Sequence, residues 1–243
     1  MKSLYKKEIA VFFTSTIGPI IIASFLLINS IILWTEISDV NLLENPYATM
    51  ETFFAISPLI LLIFIPALGM RTFSEEYNNG TIETILTKPV TALQIICIKF
   101  LSIITLVLVS IIPTIIYAYT IYLLGENSSS LDIGGIIGSY MGLILLSCVL
   151  ISISIFCSSI NSNQIIAFLS SIFLSIFMYY GFDVLSEIQI FKQITYIIKK
   201  FGIMFHYNMI SKGVIIFSDL VYFVSVTLFF IKITEHVILN RQI

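Results

Sequence analysis

Charge is scarce in this sequence: Asp, Glu, Lys and Arg make up 11% of its 243 residues, against 58% hydrophobic. A soluble domain carries about 25% charged residues. So much apolar surface excludes a single water-soluble core and makes membrane, with lipid as its surroundings, the default class. The formal net charge of -2 offers no general attraction to nucleic acid. Cysteine is scarce too. Cys97, Cys148 and Cys157 show no paired motif and lie in or beside apolar runs, so they read as small core hydrophobes. His206 and His236 stand 30 apart, outside any HExxH pattern, which argues against a metal site. A GxxxxGK[ST] stretch is missing, so the chain cannot cradle ATP phosphates in the P-loop manner.

Long apolar runs are abundant. A helix needs about 20 apolar residues to cross a bilayer. Six stretches qualify: Ile17 to Trp34, Thr52 to Met70, Leu93 to Leu124, Gly134 to Phe156, Gln164 to Phe182 and Val214 to Ile233. The third holds Pro113, which predicts a kink or an extension past the outer headgroups. Pro58 and Pro66 in the second are either points of flexure or tolerated bends. Tyr117, Tyr119 and Tyr122 predict an interfacial belt at the outer end of the third. Lys2, Lys6, Lys7 and Glu8 precede the first span with no small-residue cleavage site behind it, so a cleaved signal peptide is not expected. The expected fold is an all-α polytopic membrane protein, one unit over 1–243 with six transmembrane helices.

Lysine and arginine set the expected orientation, because short cytoplasmic loops hold their excess. The N-terminal segment has Lys2, Lys6 and Lys7; the 71–92 loop has Arg71 and Lys88, with Lys99 just after it; the C-terminal tail has Lys232 and Arg241. The 35–51 and 125–133 loops have none. Both termini and the 71–92 loop are therefore expected in the cytoplasm. Lys192, Lys199, Lys200 and Lys212 in segment 183–213 are the exception, and a miscounted span with that segment inside is the alternative. Within it, SEIQIFKQITYIIKKFGIMFHY is periodic in Ile and Phe but too polar to span. It predicts one or two short helices lying at the outer interface, lysine stems reaching to headgroups.

Residues 69–89, GMRTFSEEYNNGTIETILTKP, form a polar insert between two apolar runs. Ser74 is positioned to cap a helix, with Glu75 and Glu76 in a first turn that favours carboxylates. Phe73 and Tyr77 share a face. Asn79-Gly80 is a helix stop. Thr81 then caps a second short helix over Ile82 to Thr87, with Ile82, Ile85 and Leu86 as its apolar face, and Pro89 disfavours helix at Lys88. Two capped amphipathic helices with exposed carboxylates, held at the cytoplasmic membrane surface, suit docking to a soluble partner better than passive tethering.

Arg71-x-Phe73-x-Glu75-Glu76 followed by Gly80-Thr81-Ile82-Glu83-x-x-Leu86-Thr87-x-Pro89 resembles the cytoplasmic loop of ABC-2 type transporter permeases. LYKKEIAVFFTSTIGPIIIASFLL is similar to that family's lead-in helix and first span. NSNQIIAFLSSIFLSIFMYYGF resembles its fifth span, and FHYNMISKGVIIFSDLVYF the approach to its sixth. Within the family, the chain looks most like the gliding-motility-associated permease, then like copper-enzyme-maturation permeases. Two departures stand out: Tyr77 where many relatives carry a basic residue, and Ser15-Thr16-Ile17-Gly18-Pro19 where a Ser-Pro step is common. The resemblance implies a permease without covalent chemistry in the bacterial inner membrane. It implies that the insert couples to a separate ATPase subunit, which binds ATP and Mg, and that a second permease chain, identical or related, completes the complex.

Gly134, Gly138 and Gly142 form a small-residue stripe at the head of the fourth span, for packing within the subunit or against another chain. Asp219 is the one acidic residue well inside an apolar run. It is either a pathway or gating group or a structural hydrogen bond partnered by Tyr222 or a serine. Two rival functions remain at this level: a membrane scaffold for a motility or envelope machine without transport, and an intramembrane hydrolase using Glu75 and Glu76, for which His206 and His236 look poorly placed.

Overall fold

The computed structural model describes residues 2–35, 49–81, 90–124, 132–188 and 194–241. Among them every regular element is helical, and six helical stretches are long and apolar enough to cross a membrane. A lead-in helix, α1 (Lys2–Thr14), precedes the first span, α2 (Ile17–Trp34). The second span, α3 (Glu51–Gly69), continues after Met70 as α4 (Arg71–Asn78). The third is α5 (Ala92–Ile111) and α6 (Ile115–Leu124), joined through a 3-10 turn at Ile112–Thr114. The fourth is α7 (Ile133–Ile160). The fifth, α8 (Gln164–Ile176), runs through a π-helical stretch, Phe177–Gly181, into α9 (Phe182–Glu187). Two short helices, α10 (Thr195–Lys199) and α11 (Ile203–Ile210), lead to the last span, α12 (Phe217–Asn240).

Side chains at the element boundaries start several of these helices. Thr91 accepts from the Gln94 amide while the Gln94 side chain accepts from Thr91 N–H, a capping box at the head of α5. Asp132 accepts from Gly135 N–H at 3.0 Å to open α7, and Asn163 from Ile165 N–H at 2.8 Å to open α8. The proline at 113 removes an intrahelical donor, and the third span tightens to a 3-10 turn around it. Pro58 and Pro66 sit inside α3, which stays helical across both.

α7 is the axis of the bundle. Its 28 residues reach about 42 Å at the ordinary helical rise. It packs against α3, α4, α5, α8, α11 and α12. Lipid tails are as apolar as a leucine, so burying such residues contributes little to helix association, and close packing must do it instead. The α7 sequence supplies that closeness: Gly138, Gly142, Ser147, Ser152, Ser154 and Ser158 are all buried. At Gly69 on α3 a Cβ would come within 1.7 Å of Ser154 Oγ, so only glycine permits this crossing.

Several expectations need correction. The fourth and last spans extend to Ile160 and Asn240, so Lys232 lies within a helix rather than in a tail. The last span begins at Phe217, not Val214. Tyr117 packs inward: its hydroxyl lies 2.7 Å from Ser30 Oγ and its ring packs against Trp34 and Phe53, while Tyr119 and Tyr122 stay exposed. Segment 183–213 contains two short helices, but only α10 is peripheral. α11 is drawn into the bundle, with Ile203, His206, Tyr207 and Ile210 buried and Tyr207 and Ile210 set against Gly142 of α7.

The ends of the bundle differ. α1, α4, the head of α5, the foot of α7 and the foot of α12 meet at one end. α11 meets the heads of α3 and α7 at the other, through Tyr207 on the Phe54 carbonyl and Ile210 on Gly142. With six crossings, the N-terminal helix, the last residues of α12 and the 71–81 segment share one end. Segment 194–213 lies at the opposite one.

Candidate functional site

The end built around α4 holds a buried cluster of ionic side chains. No glycine or proline interrupts Met70 to Ser74, so the helix carries on from α3, with Met70 N–H still donating to Pro66 O at 2.9 Å. Ser74 is therefore not a cap, and Glu75 and Glu76 are not first-turn residues. Ser74 lies mid-helix and its hydroxyl donates back to the Met70 carbonyl. The capping role comes from another helix. Ser158 Oγ on α7 accepts from the N–H groups of Phe73 and Ser74, at 3.0 and 3.1 Å, and donates to Met70 O at 2.9 Å. That uses the whole capacity of one hydroxyl. The helix stops at Asn78 because Gly80 takes φ +65°, a left-handed turn.

A buried lysine holds the assembly. Lys99, on α5, is 3% exposed. Its ammonium donates to Glu76 Oε1 at 2.7 Å, to the Thr72 carbonyl at 2.6 Å and to Glu8 Oε1 at 3.4 Å. It also lies 5.0 Å from the centroid of the fully buried Phe73 ring. All three of its donors are used, and they tie α5 to α4 and to α1. α1 is further pinned by Tyr5, whose hydroxyl is 2.7 Å from Thr105 Oγ1 on α5. From the other side the Arg241 guanidinium, at the foot of α12, lies 4.7 Å over the Tyr77 ring and donates to the Ile160 carbonyl. Three elements thus hold α4 directly, and α1 is linked to it through Lys99. Between α1 and α4 lies a recess of about 240 Å³, lined by three cations, Lys7, Arg71 and Lys99, and three carboxylates, Glu8, Glu75 and Glu76. Its formal charges cancel.

A model of the ABC-2 family transporter protein matches residues 4–236. The chain belongs to the ABC-2 transporter family. It is a multi-pass membrane protein, a permease component of an ABC transporter. No curated protein matches it significantly.

In this ABC-2 permease the residues singled out in the sequence are placed unequally. Arg71 pairs with Glu75 four residues on, through two hydrogen bonds of 2.9 and 3.1 Å, and both stay partly exposed. Glu76 does not offer its carboxylate to solvent, because the Lys99 pair leaves its side chain 13% exposed. Phe73 is core rather than surface. Thr81 donates to the Glu76 carbonyl at 3.4 Å. Glu83, Leu86, Thr87 and Pro89, and with them the second short helix, lie outside the described residues. Gly138 and Gly142 pack within the subunit, where a Cβ would meet Gly213 Cα at 3.3 Å and Ile210 Cγ2 at 2.9 Å. Gly134 takes no part in that contact. Gly135 replaces it, meeting Gly213, whose own φ is +79°. Asp219 is bonded neither to Tyr222 nor to a serine. Its partner is His206, 2.7 Å away, and the two are joined because α11 folds back into the bundle.

Lys99, Glu8, Ser158 and Arg241 escaped notice as site residues. Lys99 alone carried a signal: a lysine well inside an apolar run marks a buried partner. The others lie 84 to 164 residues from the α4 positions they contact or far upstream of them, and nothing local in the chain announces the meeting.

A second cavity, of about 590 Å³, lies at the α11 end between α3, α7, α11 and the π-helical stretch. Glu51, Asp132 and Lys212 stand among its walls of Met50, Phe54 and Tyr179.

Proposed function

We propose that α4 is the point at which a separate ATPase subunit acts on this permease. The observation that supports this is the Lys99 cluster: α4 is bonded to α5 through Lys99 and to α7 through Ser158, lies under Arg241 at the foot of α12, and is linked through Lys99 to Glu8 on α1, so a push on the 71–81 segment reaches four elements. A tether would not be held in this way. In this reading ATP and Mg are bound by the partner, both chain termini and the 71–92 segment face the cytoplasm, and the complex sits in a bacterial inner membrane. A second permease chain, identical or related, completes the pathway. The gliding-motility assignment is the finest level of the reading, and export is the general one.

The test uses two substitutions outside the described core. At Gly80 an added Cβ would meet nothing within 4 Å, so Gly80→Val perturbs only the backbone, by placing a β-branched residue at positive φ. Glu83→Lys reverses a charge in the segment that follows. Both variants are expected at normal membrane levels, with the ATPase subunit lost on co-purification or its turnover uncoupled from the permease. Full retention of the ATPase and of its coupled turnover in both returns the insert to a passive loop.

A further inference from the structure

The buried acid–base pair at the opposite end of the bundle joins α11 to α12. His206 Nδ1 is 2.7 Å from Asp219 Oδ1, and His206 Nε2 is 2.8 Å from the Lys200 carbonyl oxygen. His206 is 7% exposed and Asp219 2%. The Tyr222 ring stacks on the imidazole, centroids 4.0 Å apart, and its hydroxyl donates to the Phe201 carbonyl at 2.6 Å. The turn from α10 to α11 is therefore held by two hydrogen bonds, one from Tyr222 on α12 and one from a histidine that itself rests on α12.

Counting hydrogens defines the state of the pair. A carbonyl oxygen only accepts, so Nε2 must carry a hydrogen. Nδ1 facing a carboxyl oxygen at this distance needs a second hydrogen between them, on nitrogen or on oxygen. An imidazolium beside a carboxylate and an imidazole beside a carboxylic acid contain the same single dissociable proton. Asp219 Oδ2 is buried and has no hydrogen-bond partner among the described residues, so an ionised Asp219 has only the ring to balance it. Once the proton leaves, the neutral imidazole has one N–H for two acceptors. A lone pair then faces either the Lys200 carbonyl or the carboxylate.

We propose that His206 and Asp219 form a one-proton latch that seats α11, and that release of the proton frees α11 and opens the cavity it walls. Met204, Tyr207 and Asn208 of α11 and the following Ser211 form one side of the 590 Å³ cavity. Neighbouring ionisable groups do not supply a second partner. Asp183 and Lys199 pair with each other at 3.2 Å, and the Lys200 ammonium lies 4.6 Å over the Tyr196 ring. Asp132 caps α7. Tyr207 donates to Phe54 O, and burial holds its phenol well above the ordinary range, so it stays neutral. Tyr179 and Tyr180 of the π-helical stretch meet edge to face, with the Tyr179 ring toward Tyr207, and Lys212 follows α11 at the cavity wall.

Hydrogen exchange of the full chain in detergent micelles tests the latch. The readout is amide protection over 203–210, corrected for intrinsic exchange. As the pH is raised from about 5.5, protection is expected to fall about tenfold or more, one linked proton allowing up to about tenfold per pH unit. In Asp219→Asn the amide donates to Nδ1 while Nε2–H stays on Lys200, so protection is expected to remain high as the pH is raised. His206→Leu is expected to lose protection throughout; if it does not fold, Asp219→Asn still decides. Wild-type protection that ignores pH, or a pH dependence that survives in Asp219→Asn, overturns the proposal.

Discussion

Lys99→Met keeps most of the length of the side chain and removes its charge, which leaves Glu76 and Glu8 facing each other with side chains only 13% and 12% exposed. Removing one partner of a buried ion pair costs about 3–5 kcal/mol, because the remaining charge loses its compensation. Here the Thr72 carbonyl loses a donor as well. For a chain of this size that loss corresponds to a fall of about 6–20 °C in melting temperature. The protein in detergent, heated and assayed for remaining monodisperse material, reports the shift. Adding Glu76→Gln removes the like-charge contact, so the double variant is expected to recover more than half of the loss. A single variant melting within about 2 °C of wild type, well below the range above, refutes the claim that Lys99 fastens α4. So does a double variant that recovers nothing.

Other outcomes follow from the same geometry. Ser158→Ala leaves the N–H groups of Phe73 and Ser74 without their acceptor, so α4 amides should lose hydrogen-exchange protection and the protein about 1–3 kcal/mol; unchanged protection would remove Ser158 from the list of α4 anchors. In a background without Cys97, Cys148 and Cys157, single cysteines at Asn79 and Ser128 report orientation in whole cells. An impermeant reagent should label Ser128 and spare Asn79, and the reverse pattern would invert the proposed topology.

Hydropathy alone located all six spans, because a bilayer demands about 20 consecutive apolar residues and nothing else in the chain meets that demand. Local chemistry likewise marked the stop at Gly80 and the break at Pro113, since backbone dihedrals and a missing donor act within one turn of helix. The insert was visible as a polar island, but its mechanics were not. Ser74 had the composition of a cap, yet the helix ran through it, and the capping hydroxyl came from Ser158. Glu76 had the composition of a surface carboxylate, yet Lys99 and Glu8, far away in the chain, drew it inside. Asp219 was legible as a buried acid that required a partner; that the partner is His206 depended on α11 folding back against Gly138 and Gly142. In each case the element was decided by forces within a few residues. The pairing was decided by which helices α7 brings side by side; the glycine stripe at 138 and 142 marked that a close contact is made, but nothing local named the partner.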